Sequence, residues 1–162
     1  MRPSFPRLRL LLALLCLPEA AIVLSQTAQA PGTGSGPNCT LLIHVDGLRN
    51  SSGKIGTVVF KTADGWPENT SKALRVGPSE IVPGERQGTA VWNGLPSGDY
   101  AVAAIHDENS NARLDRNLIG IPKEGFGFAN NPHVGWGPPP FQAALVHVAC
   151  PVTETTIHIQ YR

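Results

Sequence analysis

Charge is scarce in this 162-residue chain: Asp, Glu, Lys and Arg supply 15% of it, where about 25% is usual. The formal net charge is +1, and no basic stripe runs through it. Nucleic-acid binding needs such an excess or stripe to neutralise phosphates, so that class is excluded. Convincing amphipathic helical periodicity is also missing, which excludes a long helical bundle. Catalytic signatures are absent too, with no G-x-S-x-G, no H-E-x-x-H and no P-loop. Gly125-Phe126-Gly127-Phe128 does not open a helix, as a dinucleotide fingerprint must. Gly and Pro, at 17 and 15 residues, are by contrast abundant. The chain therefore turns often.

The N-terminus reads as an address. Arg2, Arg7 and Arg9 form a positive n-region, Leu8 and residues 10–17 supply an apolar run that resumes over 20–24, and Ala28-Gln29-Ala30 supplies an A-x-A cleavage site. This is the pattern of a removable secretion signal over residues 1–30. Pro18 and Glu19 interrupt the run short of the ~20 apolar residues a membrane span needs, so no transmembrane anchor is expected in the mature chain. Removal takes 3 of 13 basic and 1 of 12 acidic residues, leaving 10 and 11, a net of −1. The expectation is a periplasmic or secreted protein, with a flexible leader over 31–38 and one domain over 39–162. In an oxidising compartment the two remaining cysteines, Cys39 and Cys150, are expected to bridge; two buried thiols are the alternative. Strand alternation points both side chains toward the core.

The body reads as strands. Cys39, Leu41, Ile43 and Val45 share one face of a period-two segment. Asn50-Ser51-Ser52-Gly53 is a turn cluster leading to a strand over 55–60, and the pair reads as a hairpin. Residues 63–74 break the pattern, with room for a helical turn after Pro67. Further strands are expected over 80–82, 88–93, 100–106, 141–149 and 155–161. About seven short strands predict an all-β, antiparallel sandwich of immunoglobulin or prealbumin type.

Residues 107–140 show no clear strand or helix period, and loops beyond about 12–15 residues are usually functional or disordered. The aromatics and glycines here favour order. Asp107, Asn109, Asn111 and Asp115 fall at positions 1, 3, 5 and 9 of a calcium-loop pattern, with the Arg113 carbonyl at position 7. Ala112 replaces the usual glycine, and Leu118 the closing glutamate. Two readings stand: a weak structural Ca²⁺ site, or an Asx-rich turn whose side chains bond their own backbone. Phe126, Phe128, Trp136 and Phe141 form the densest aromatic stretch, either a ligand surface or a lid over one end of the sandwich. His44, His147 and His158 would make a transition-metal site only if their strands were neighbours.

Residues 106–131, HDENSNARLDRNLIGIPKEGFGFANN, resemble the long motif of the secreted bacterial family known as domain of unknown function 2141. Gly137-Pro138-Pro139-Pro140-Phe141 is similar to its G-P-P-x-F segment, and residues 45–50, 53–60 and 94–102 resemble its upstream pieces. The resemblance covers 39–161. It implies an exported β-sandwich without an assigned activity, and carries the candidate metal positions Asp107, Asn109, Asn111 and Asp115. Two functions are therefore weighed. One is a non-catalytic binding or accessory module of the cell envelope, its partner an envelope protein or glycan. The other is a hydrolase or transferase using Asp107, Asp115 or Glu124 with His106.

Overall fold

Alternating apolar residues need a second layer to bury their inward face, and the described residues supply it with eight strands. In a computed structural model of the protein, residues 38–162 are described; the signal and most of the leader, expected over 1–37, lie outside them. The strands are β1 (Cys39–Asp46), β2 (Lys54–Phe60), β3 (Arg75–Ser79), β4 (Gly88–Leu95), β5 (Gly98–Asp107), β6 (Gly125–Phe128), β7 (Leu145–Val148) and β8 (Val152–His158). One sheet has the order β4-β1-β8. The other runs β3-β2-β5-β6, and β7 shares with β6 the remaining edge of β5. The all-β sandwich is thus as expected. One pair, β1 with β8, is parallel.

The core lies between the sheets. Leu41, Ile43 and Val45 of β1 meet Ile55 and Val59 of β2 and Tyr100 and Val102 of β5. Burying a side chain of this size stabilises by roughly 1.5–3 kcal/mol. Tyr100 enters with its hydroxyl satisfied, donating to the Pro96 carbonyl at 2.7 Å, and burial pushes its pKa up. Cys39 and Cys150 are joined by a disulfide. Only Cys39 faces the core, however; Cys150 follows β7 in an exposed bend, because the strand ends at Val148.

Four local expectations are corrected. Residues 39–46 and 54–60 do not form a hairpin: β1 and β2 belong to different sheets, and the turn between them crosses the sandwich. The strand expected over 80–82 shrinks to a single bridge, Ile81 to Gly88. Pairing instead falls on β3, whose Pro78 is tolerated because β3 is an edge strand. Residues 141–149 begin with a short 3-10 helix, Phe141–Ala144, before β7. Finally, the long segment after β5 contains β6. Its glycines face inward, where a Cβ on Gly125 or Gly127 would overlap Ile159 or Ile157, and its phenylalanines face outward.

Candidate functional site

The five-stranded sheet is apolar on both faces. Its outer face carries two cross-strand rows, Val76–Val58–Ala103–Phe128 and Pro78–Gly56–Ile105–Phe126. Strands buried on both sides read as near-continuous apolar runs, and Ala101 to Ile105 is such a run. Beside these rows, Trp66 builds a small second core. Its ring sits edge-on to Phe60 at 5.5 Å and to Phe141 at 5.9 Å, and lies 5.8 Å from Phe128. Its indole N–H donates to the Pro139 carbonyl at 3.0 Å. Leu114 and Val134 of the long loop pack onto the same cluster.

The loop covers the β6 end of the rows, where Ala103, Phe126 and Phe128 are buried, and leaves their β3 and β2 end open. Between it and the sheet lies an apolar cleft of about 780 Å³, floored by both rows, within the ~300–1,000 Å³ usual for ligand pockets. Its mouth is lined by Trp136 and Ile119, which are 97% and 80% exposed. Ile119 stands at the tip of a small hairpin in which Asn117 Oδ1 accepts the backbone N–H groups of Ile119 and Ile121. Phe126, Phe128 and Trp136 are thus brought to one site, while Phe141 packs behind it against Trp66. Phe126 and Phe128 are part of the sheet face itself, and Trp136 stands exposed beside it.

The acidic segment forms the wall beside this cleft, and its oxygens are occupied by its own donors. Asp107 accepts the N–H groups of Asn111 at 3.0 Å and Ala112 at 2.7 Å. Asn109 and Asn111 each accept a backbone N–H through Oδ1, from Asn111 and Arg113 respectively. Their Nδ2 groups donate to the two oxygens of Asp115, at 2.9 and 3.0 Å. The amides therefore present N–H, not oxygen, toward Asp115. This is the arrangement of the Asx-rich turn, and among the described residues no group of three or more His, Cys, Asp or Glu is placed to hold a metal. Glu124, buried just before β6, accepts from the N–H groups of Glu108 and Asp115, both at 2.9 Å.

The acids and His106 are not assembled as an acid–base pair. His106 points between the sheets while Asp107, next along the strand, points outward. The Ser52 carbonyl can only accept, so His106 donates through Nε2 at 2.8 Å, leaving Nδ1 to accept the Tyr161 hydroxyl at 2.6 Å. That hydroxyl also accepts the Arg49 backbone N–H at 3.0 Å, and burial raises its pKa. The Arg49 guanidinium forks onto Glu108, whose pKa it lowers. Of the three strand histidines, His44 and His158 stand on neighbouring strands, β1 and β8, while His147 lies in the other sheet; each is paired with its own carboxylate, Glu154, Asp46 and Asp99 respectively. The cleft itself went unread in the sequence, although the run Ala101 to Ile105 signals two-sided burial.

The family model described as an uncharacterised protein conserved in bacteria, DUF2141, matches residues 43–156. No curated protein and no solved structure matches the chain.

Proposed function

Because the chain belongs to the bacterial DUF2141 family, whose description names no activity, we propose a function from its cleft: an exported, non-catalytic binding module of the cell envelope that holds an apolar ligand against the outer face of the five-stranded sheet. One observation carries the reading. Two rows of apolar side chains, which a soluble sandwich would ordinarily leave polar on its solvent side, line an open cleft of ligand size. The polar groups beside it are spent on holding the wall, as Asp107 and Glu124 illustrate. Export is supported by the signal pattern of residues 1–30 and by the disulfide. Among the described residues no helix is long and apolar enough to cross a membrane.

The test uses a neutral fluorescent probe, phenylnaphthylamine, which brightens on entering an apolar site. The protein is expected to bind it saturably at one site. Val58→Trp fills the middle of the floor and should abolish binding. Val76→Lys, at a half-exposed floor position, should weaken it with little change in melting temperature. Probe binding unaltered by both substitutions would place the ligand elsewhere and overturn the reading.

A further inference from the structure

We propose that the ligand of this cleft is a long-chain carboxylate, its alkyl chain lying along the two floor rows and its head group paired with Arg113. The inference rests on the reading of the cleft as an apolar-ligand site and names the class of ligand. Shape gives the first argument. From Val76 and Pro78 on β3 across β2 to Ile105 on β5, two inter-strand spacings of ~4.8 Å make an open track about 10 Å long, closed at its β6 end by the buried Phe126 and Phe128. A track of that length and apolarity suits an extended alkyl chain better than a compact ring. Exposed Ile119 and Trp136 continue the apolar surface at the mouth, where a chain longer than the floor would emerge.

Charge gives the second argument. The cleft is lined by four cations, Lys54, Arg113, Arg116 and Arg162, against two carboxylates, Glu68 and Asp107. Lys54 is answered by Glu80 at 3.0 Å and Arg116 by Glu68. Arg162 donates to the carbonyls of Val134 and Gly135 and lies over the Phe126 ring. Asp107 has both oxygens on loop N–H groups. Arg113 differs from the other cations. Its backbone is pinned by the Asn111 side chain at 2.9 Å, its neighbour Leu114 is anchored in the outer apolar cluster, and its guanidinium has no ion-pair partner among the described residues. A planar fork of N–H donors, carried by a pinned backbone on a residue lining the apolar cleft, is complementary to a planar, singly charged carboxylate.

The experiment is displacement of phenylnaphthylamine from the purified protein by laurate, dodecanol and dodecyltrimethylammonium, three heads on one chain length. Laurate is expected to bind about tenfold more tightly than dodecanol, the scale of one charge-assisted hydrogen-bonded pair at a partly exposed site. The cation should bind least well. Arg113→Gln should reduce laurate to the affinity of dodecanol and leave dodecanol unchanged, while Arg113→Lys should retain part of the preference. Raising the salt concentration should narrow the gap between laurate and dodecanol. Equal affinities for acid and alcohol, or a preference that survives Arg113→Gln, would overturn the head-group assignment while leaving the cleft as an apolar-ligand site. Failure of every chain to displace the probe would overturn both.

Discussion

Ala112 sits at φ +61°, in the left-handed region, and Ser110 precedes it at +57°. For an L-residue with a Cβ this conformation costs roughly 1–2 kcal/mol. What holds Ala112 there is Asp107, whose Oδ2 accepts the Ala112 N–H at 2.7 Å; the carboxylate needs both N–H groups of the turn to converge on it. Glycine would adopt the same φ without the steric cost, at an entropic loss of roughly 0.5–1 kcal/mol in the unfolded chain. Ala112→Gly is therefore expected to stabilise by about 0.5–1 kcal/mol, a rise of a few degrees in melting temperature for a domain of this size. Calorimetry checks it. A fall would show that the loop relaxes around Ala112 and that no strain is stored at this position. The same residue bears on the two readings of the loop: an Ala at the glycine position weakens the cation pattern, and Asp107, Asn109 and Asn111 each accept a backbone N–H of the loop, as an Asx-rich turn does.

At the scale of elements, Glu124 joins β5 to β6 through the turn between them. Its two oxygens satisfy the N–H groups of Glu108, just past β5, and Asp115, next to the cleft-wall residue Leu114. Glu124→Ala would leave both donors without an acceptor in a partly buried place, at roughly 1–3 kcal/mol each. The expected loss is about 2–4 kcal/mol, with faster amide exchange at Glu108 and Asp115; Glu124→Gln, which keeps one accepting oxygen, should fall between. Unchanged exchange at both amides would mean the turn holds without this brace. Legibility also varied by element. β1 was plain because Cys39 to Val45 alternates cleanly and buries one face. β6 was hidden because its alternation is glycine with phenylalanine, so its inward positions carry no side chain to betray a core. β3 was hidden by Gly77 and Pro78, residues that discourage a strand everywhere except at an edge. The cleft was hidden for a third reason: it exists only through registry with β3 and β6, which turns single valines and alanines of β2 and β5 into continuous apolar rows.

Over the whole molecule, the strand order decides which links matter most. β1, the first strand, lies between β4 and the last strand, β8, and pairs with β8 in parallel from Thr40 with Val152 to Asp46 with His158. Parallel neighbours cannot be joined by a tight turn, and here nearly the entire sandwich intervenes. Forming this pair means closing a loop from one end of the fold to the other, a contact whose entropic cost grows with loop length. The disulfide falls at that place: Cys39 opens β1, Cys150 stands two residues before β8, and their Cα atoms are 4.5 Å apart across a sequence separation of 111. In the chain-entropy account a cross-link over about 100 residues removes up to ~4.7 kcal/mol of freedom from the unfolded chain, and realised values are commonly 2–4 kcal/mol. The double substitution Cys39→Ser/Cys150→Ser is expected to lower unfolding free energy by about 2–4 kcal/mol, measured by urea titration. Reductant should reproduce the loss in the parent protein and add nothing to the variant. The denaturant slope should rise as well, because an unfolded chain freed of its link exposes more surface. An unaltered midpoint would mean that β1 and β8 find each other without the bridge, through the side chains that Leu41, Ile43, Val45 and Ile157 bury in the common core.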